Sequence, residues 1–161
     1  MARWSEFEAS DPELAKTGRV MLYRFGPGLA YLATVRADGG PRLHPFCPVI
    51  AEGGLFGLIG PSPKRGDLLR DGRYALHSFP AVERDDEFYL TGRATPVDDP
   101  ERAEAVRRAY LATGATSSED ERIFEFPLEH VLLSQYKARG EPDNWPPKRS
   151  HWHAPGRAGP G

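Results

Sequence analysis

The groups best suited to chemistry stand in one short segment, Ser62-Pro63-Lys64-Arg65-Gly66-Asp67, which follows the apolar run Leu55-Phe56-Gly57-Leu58-Ile59-Gly60. A hydroxyl, cations and backbone amides just past the end of a strand are what hold a phosphate. Other reactive side chains are scattered. His44 is flanked by prolines on an irregular stretch, and it reads equally as a plain strand histidine or as one lining a pocket. Cys47 reads as a small core residue rather than a nucleophile, since no base can be assigned to it. His77 alternates into an apolar strand and reads as structural or interfacial. His151 and His153 flank Trp152 without an accompanying carboxylate or thiol cluster, so no metal site is expected.

Composition sets the outer limits. A chain of 161 residues is long enough to bury a core as one domain. Its hydrophobic content of 39% and mean hydropathy of -0.55 are those of a water-soluble protein. No apolar run approaches the roughly 20 residues of a membrane helix, so no membrane partner is expected. The N-terminal MARWSEFEAS has no basic region followed by an apolar one, and no secretory signal is expected. A single cysteine excludes an internal disulfide and fits a reducing compartment. A formal charge of -2 gives no general drive toward nucleic acid. The expected location is the cytoplasm.

The elements that must position the Ser62 segment follow in chain order. Residues 3–24 read as helical, with a capped start at Ser10-Asp11-Pro12-Glu13 and Gly18 as a break; Val20 is placed on the packed face. Leu29–Val35 reads as a strand ending in the hairpin signal Ala37-Asp38-Gly39-Gly40. Its return strand, Pro41–Ile50, contains three prolines and so belongs at a sheet edge or in a bulge. Leu55–Gly60, Arg73–Phe79, Glu87–Val97 and Glu129–Tyr136 supply four more strands. Helical turns are expected over 62–69, and a proline-started helix over 101–112. Residues 137–161 read as an irregular, proline-rich tail anchored by Trp145 and Trp152. The turns are too short for parallel crossovers. Six strands with short helices give a mainly β fold, an antiparallel barrel with helical additions spanning 1–136, its core at about 25–136.

In that order and spacing, several motifs resemble one family. They are the Gly-Gly hairpin, Pro41-Arg42-Leu43-His44-Pro45, Ser62–Leu69, Asp71-Gly72-Arg73-Tyr74-Ala75-Leu76 and Phe88–Ala94. Together they resemble the pyridoxamine-5′-phosphate-oxidase-like split barrels that bind flavin mononucleotide (FMN). The resemblance implies a six-stranded split barrel, two equivalent sites at a homodimer interface, and a phosphate held by Arg42, Ser62 and Lys64, with Arg65 close by. It also implies that backbone groups of Leu43, His44, Leu58 and Ile59 border the ring system, with Phe79 and Trp145 of a partner subunit lining the substrate space. The glutamate, tryptophan and arginine-leucine-histidine motif of true pyridoxamine phosphate oxidases is missing, and Glu129–Tyr136 stands in its place, so that reaction is not expected. The resemblance therefore implies an FMN-dependent oxidoreductase acting on a small organic substrate. Its alternatives are a reductase using the 8-hydroxy-5-deazaflavin coenzyme F-420 and a barrel that holds flavin or heme without turnover.

Overall fold

Prolines and glycines decide where the strands of this chain stop and where its helices dock. The computed structural model describes residues 1–143 and 145–156. Helices α1 (Trp4–Ser10) and α2 (Pro12–Leu22) come first. The break between them falls at Asp11 and not at Gly18. The Asp11 carboxylate accepts the Leu14 N–H at 3.1 Å and caps α2. Leu14, Ala15, Gly18, Met21 and Leu22 share the buried arc of α2. Val20 falls opposite that arc and is 61% exposed, which corrects its expected placement.

Strands β1 (Ala30–Val35), β2 (Pro41–Phe46), β3 (Pro48–Ala51) and β4 (Gly54–Ile59) lead into helix α3 (Pro63–Arg70). Strands β5 (Arg73–Ser78), β6 (Glu87–Arg93) and β7 (Thr95–Pro96) precede helix α4 (Pro100–Ala112), and β8 (Arg122–Glu125), β9 (Leu128–Gln135) and β10 (Lys148–His153) complete the described chain. Every ladder is antiparallel. One sheet has the order β10-β9-β6-β5-β1-β2 and the other β3-β4-β8-β7.

The mainly β, antiparallel expectation holds, with ten strands where six were expected. The expected return strand Pro41–Ile50 divides at Cys47. Its first half, β2, stays beside β1 as the sheet edge, and its second half, β3, crosses to pair with β4. Proline has no N–H to donate, so a Pro-rich strand is tolerated at an edge and parts readily at a corner. The expected strand Glu87–Val97 divides likewise, after Arg93, into β6 and β7.

The tail expected to be irregular contains β10, paired with β9. Trp152 fixes it: its ring lies 4.9 Å from that of Phe7, and its Nε1–H donates to Ser10 Oγ at 2.7 Å. Trp145, the other expected anchor, is 71% exposed.

The main core lies between the six-stranded sheet, α1, α2 and β4, with Phe7, Leu32, Leu76, Phe88, Leu90 and Phe126 fully buried. A second cluster packs α4, through Val106 and Tyr110, on Val49, Phe56, Leu58 and Ile123. Strand β4 is therefore buried on both faces, which is why it reads as an unbroken apolar run. The opposite face of the large sheet is open: Tyr31, Ala33 and Val35 of β1, Ala75 of β5 and Tyr89 of β6 are half-buried, and Leu43 of β2 is 63% exposed. Among the described residues no helix is long and apolar enough to cross a membrane.

Gly18 tests how α2 docks. A Cβ at this position would lie 2.2 Å from Phe88 Cζ. Gly18→Ala gains about 1 kcal/mol of helix propensity, but overpacking a filled core costs about 1–3 kcal/mol. We expect a net loss of stability, measured by denaturant unfolding, with Phe88→Leu in the Gly18→Ala background restoring part of it.

Candidate functional site

Asp67 lies in the middle of α3 with 3% of its surface exposed, and three donors converge on it. Arg42 Nε donates at 2.7 Å and Thr34 Oγ1 at 3.0 Å to one carboxylate oxygen, and Arg70 donates at 3.1 Å to the other. Burial opposes the charged carboxylate, yet the hydrogen bonds from Arg42, Arg70 and Thr34 outweigh it and hold the group below its ordinary range. Pairing of β1 with β2 places Thr34 opposite Arg42. Both side chains thus leave the sheet on the face that α3 covers. Two guanidiniums meet one carboxylate, and the pocket lined by Arg36, Asp38, Arg42, Asp67 and Arg70 carries surplus positive charge.

Ser62, Lys64 and Arg65 gather at the first turn of α3. Ser62 is extended at the N-cap position, and its hydroxyl donates to the Gly60 carbonyl at 3.0 Å without capping the helix. Pro63 has no N–H, and the Lys64 N–H meets no backbone acceptor among the described residues. The Lys64 side chain is half-buried, one turn before buried Leu68, and among the described residues it has no hydrogen bond or ion pair. Arg65 turns the other way and donates to the Asp120 carbonyl at 2.8 Å.

The remaining expected residues are spread around these groups. Leu58 and Ile59 have buried side chains and pair with β8, but β3 stops opposite Gly57, so their other backbone edge has no strand partner. On β2, His44 lies on the same face as Arg42, opposite Leu32, and Leu43 lies on the open face. Phe79 stacks on Tyr31 with ring centroids 4.1 Å apart. Trp145 lies 6.4 Å from the Tyr136 ring, with the Arg149 guanidinium over it. Within one chain no contact joins Phe79 to Trp145 among the described residues. Cys47 packs half-buried against the α4 cluster, beside Tyr110. Burial first, then the Cys47 thiol and Glu121, push the Tyr110 phenol up to about 12.

Sequence reasoning missed two features. Asp67 stands in the Ser62 segment, but the sequence reading gave it no role, although its i,i+3 spacing to Arg70 was a usable signal. The second is a histidine group: β9 brings His130 to His151 and His153, with one nitrogen from each ring within 4.8 Å of the other two. Nothing local announces it, because His130 is remote in sequence and joins only through the β9–β10 register.

No family model and no curated protein matches this chain. Solved structures do. A heme binding protein from Mycobacterium smegmatis superposes with a TM-score of 0.61 at 18% identity, over 84% of this chain and 57% of that one. HutZ, the heme storage protein from Vibrio cholerae, gives 0.55 at 18%, over 74% and 89%. A NimC/NimA family protein from Clostridium acetobutylicum gives 0.56 at 18%, over 83% and 91%. The shared fold is the split β-barrel. At such identities the likeness is one of fold alone.

Replacing Asp67 tests the network. Its carboxyl is held lower in the folded state than in the unfolded one, so its stabilisation is present above the ordinary carboxylate range and is lost as pH falls through the folded value. Asp67→Asn strands two cations and should cost about 1–3 kcal/mol at neutral pH. The gap to wild type should begin to narrow in unfolding curves taken below about pH 4, where the carboxyl of the unfolded wild type takes up a proton while the folded one still resists it.

Proposed function

We propose that this chain is an FMN-dependent oxidoreductase that holds the flavin phosphate at the first turn of α3 and acts on a small organic substrate. The observation that carries the reading is Lys64, a half-buried cation with no anionic partner among the described residues, beside a free backbone amide. An ammonium with no counter-ion is free to pair with an anionic ligand through charge-assisted hydrogen bonds. Arg42 fits as a second contact. Asp67 engages its Nε, while its terminal nitrogens make no hydrogen bond among the described residues. The Ser62 hydroxyl keeps its acceptor lone pairs free while donating to Gly60. Leu58 and Ile59 have no β3 partner on one edge, and their backbone groups there are the ones a heterocycle would meet.

When bound, FMN supplies the hydride chemistry. The residues of the chain bind and orient: Lys64 and Arg42 neutralise the phosphate, Asp67 fixes Arg42, and β4 presents backbone polarity to the ring edge. No side-chain nucleophile is required.

A second copy of the chain completes the site in this reading. The open face of the large sheet carries Leu43, Tyr31, Ala33, Val35, Ala75 and Tyr89, and a patch of that kind on a sheet marks an association surface. Ala33, Val35, Ala75 and Tyr89 line a cavity of about 330 Å³ on it, a receptacle for side chains of the other copy. A homodimer through this face brings Phe79 and Trp145 from different subunits into play.

Heme is the second reading, favoured by two neighbours that are named as heme binding and heme storage proteins. Mass spectrometry and absorbance of the ligand that copurifies with native protein, with titration of FMN, F-420 and heme into ligand-free protein, separate the cases. FMN should bind, and Lys64→Ala and Arg42→Ala should each weaken it by about 1.5–3 kcal/mol, the worth of a hydrogen bond to a charged group. Tight uptake of heme alone, unaffected by Lys64→Ala, would sink the flavin reading.

The interface is tested separately. Ala75→Arg places an unpaired charge at the centre of the open face, and sedimentation should then report a monomer with reduced FMN affinity. A wild-type chain that sediments as a monomer with FMN bound would refute the dimer.

A further inference from the structure

We infer that His130, His151 and His153 form a binding site for a divalent transition-metal ion of the zinc class, separate from the α3 site. The three imidazoles lie on the open face of the large sheet at its β10 edge, with α3 set against the opposite, β2 side. Two backbone regularities bring them together. His151 and His153 stand two residues apart on β10 and share a face, and ladder pairing sets His153 directly opposite His130 on β9. The register that packs Trp152 against Phe7 therefore turns both flanking histidines to the other side, beside His130.

The rings now meet by a hydrogen bond and by stacking, and the same spacing suits shared ligation. His130 Nε2 and His151 Nδ1 are 3.2 Å apart. Two nitrogens on one tetrahedral ion, each at about 2.0–2.1 Å, stand roughly 3.3–3.4 Å apart. The third ring, His153, is stacked on His130 at 4.5 Å between centroids, and its nitrogen lies within 4.8 Å of the other two, a gap that rotation of an exposed side chain closes. Three imidazoles suit zinc, copper, nickel and cobalt rather than the oxygen-seeking magnesium or calcium. They leave a fourth position open to solvent, the pattern of a site that takes water or a further ligand. Bound metal would also staple the edge strand β10 to β9.

Equilibrium dialysis of metal-free protein against Zn²⁺, without flavin, tests the site. One ion per chain is expected. His151→Ala and His153→Ala should each lower the affinity by at least about 10-fold, the loss that even an indirect partner of a metal site causes. His77→Ala, which removes a histidine outside the cluster, should bind like wild type. Co²⁺ gives a second readout, since a tetrahedral nitrogen-ligated ion absorbs in the visible and the spectrum should vanish in the His151→Ala, His153→Ala double variant. Both of these histidines are exposed on an edge strand, so the variants should fold, and circular dichroism checks this. His130→Gln completes the set, and the two β10 variants decide the question should that one misfold. Uptake well below one ion per chain, or uptake unchanged in His151→Ala and His153→Ala, overturns the inference. Because dialysis needs no flavin, its outcome is independent of whether Lys64 and Arg42 hold FMN.

Discussion

The large sheet and α3 meet around one buried carboxylate. An isolated charge in the place of Asp67 would cost several kcal/mol, and it is tolerated because Thr34, Arg42 and Arg70 meet both of its oxygens. Those donors come from β1, β2 and α3 itself, so satisfying the charge and docking the helix are one event. The helix has little stability of its own, since eight residues fall well short of the roughly 12 that an isolated helix needs. Only Asp67 and Leu68 of α3 are buried. The β1–β2 edge is pinned by the same bond, and Arg42 gains a fixed direction with its terminal nitrogens uncommitted.

The same device recurs on the small sheet. Glu125 of β8 accepts from Arg3 at 3.0 Å and from Arg102 at 2.7 Å, joining the N-terminus and α4 to one strand. Arg102 also lies 4.9 Å above the Phe56 ring, so its charge covers an apolar surface that would otherwise be open. In both cases one carboxylate orders two long cationic side chains, so the entropy lost in fixing them is shared between two interactions. Between the two clamps runs β4, which contributes to both cores and presents its last two residues without a strand partner on one side. That edge sits where the chain turns into α3, and the corner at Cys47, after which β3 begins opposite Gly57, is what leaves Leu58 and Ile59 without a β3 partner.

Local chemistry was legible in the sequence to the extent that it was local. The Asp11 cap, the Gly-Gly hairpin and the apolar strand β4 all follow from residues near one another in the chain. The three prolines of Pro41–Ile50 pointed to an edge strand, and β2 is one. The division at Cys47 did not show, because a strand that changes sheets keeps its extended backbone throughout. Gly18 looked like a helix breaker because glycine is a poor helix former, and the reason for its presence, the Phe88 ring against it, lies 70 residues further along. The candidate site behaves the same way. Lys64 and Ser62 could be named from their place after a strand, but the partners of Arg42 required the tertiary placement of α3. The strand β10 and the His130 cluster depend on one distant contact, Trp152 with Phe7 and Ser10.

The chemical character of the α3 site also constrains what the barrel is for. Its contributors are ammonium and guanidinium groups, a hydroxyl and backbone amides, all of which bind and none of which is poised to attack or to exchange a proton. Such a set selects an anionic, polar ligand and leaves reactivity to that ligand. The apolar face on the other side of the sheet has the opposite character, with Leu43, Tyr31 and Tyr89 at its surface. A ligand with an anionic end and a flat aromatic body would satisfy both if it reached round the β2 edge, its phosphate at Lys64 and its ring toward the face proposed above to pair with a second copy. Ligand and dimer would then be linked by mass action. Whatever binds the paired form in preference to the single chain stabilises the pair by RT ln(1 + [L]/Kd), about 2.7 kcal/mol at a hundredfold excess over Kd. In such a molecule, loss of the ligand would loosen the dimer, and a surface mutation far from Lys64 would lower ligand affinity without touching a ligand contact.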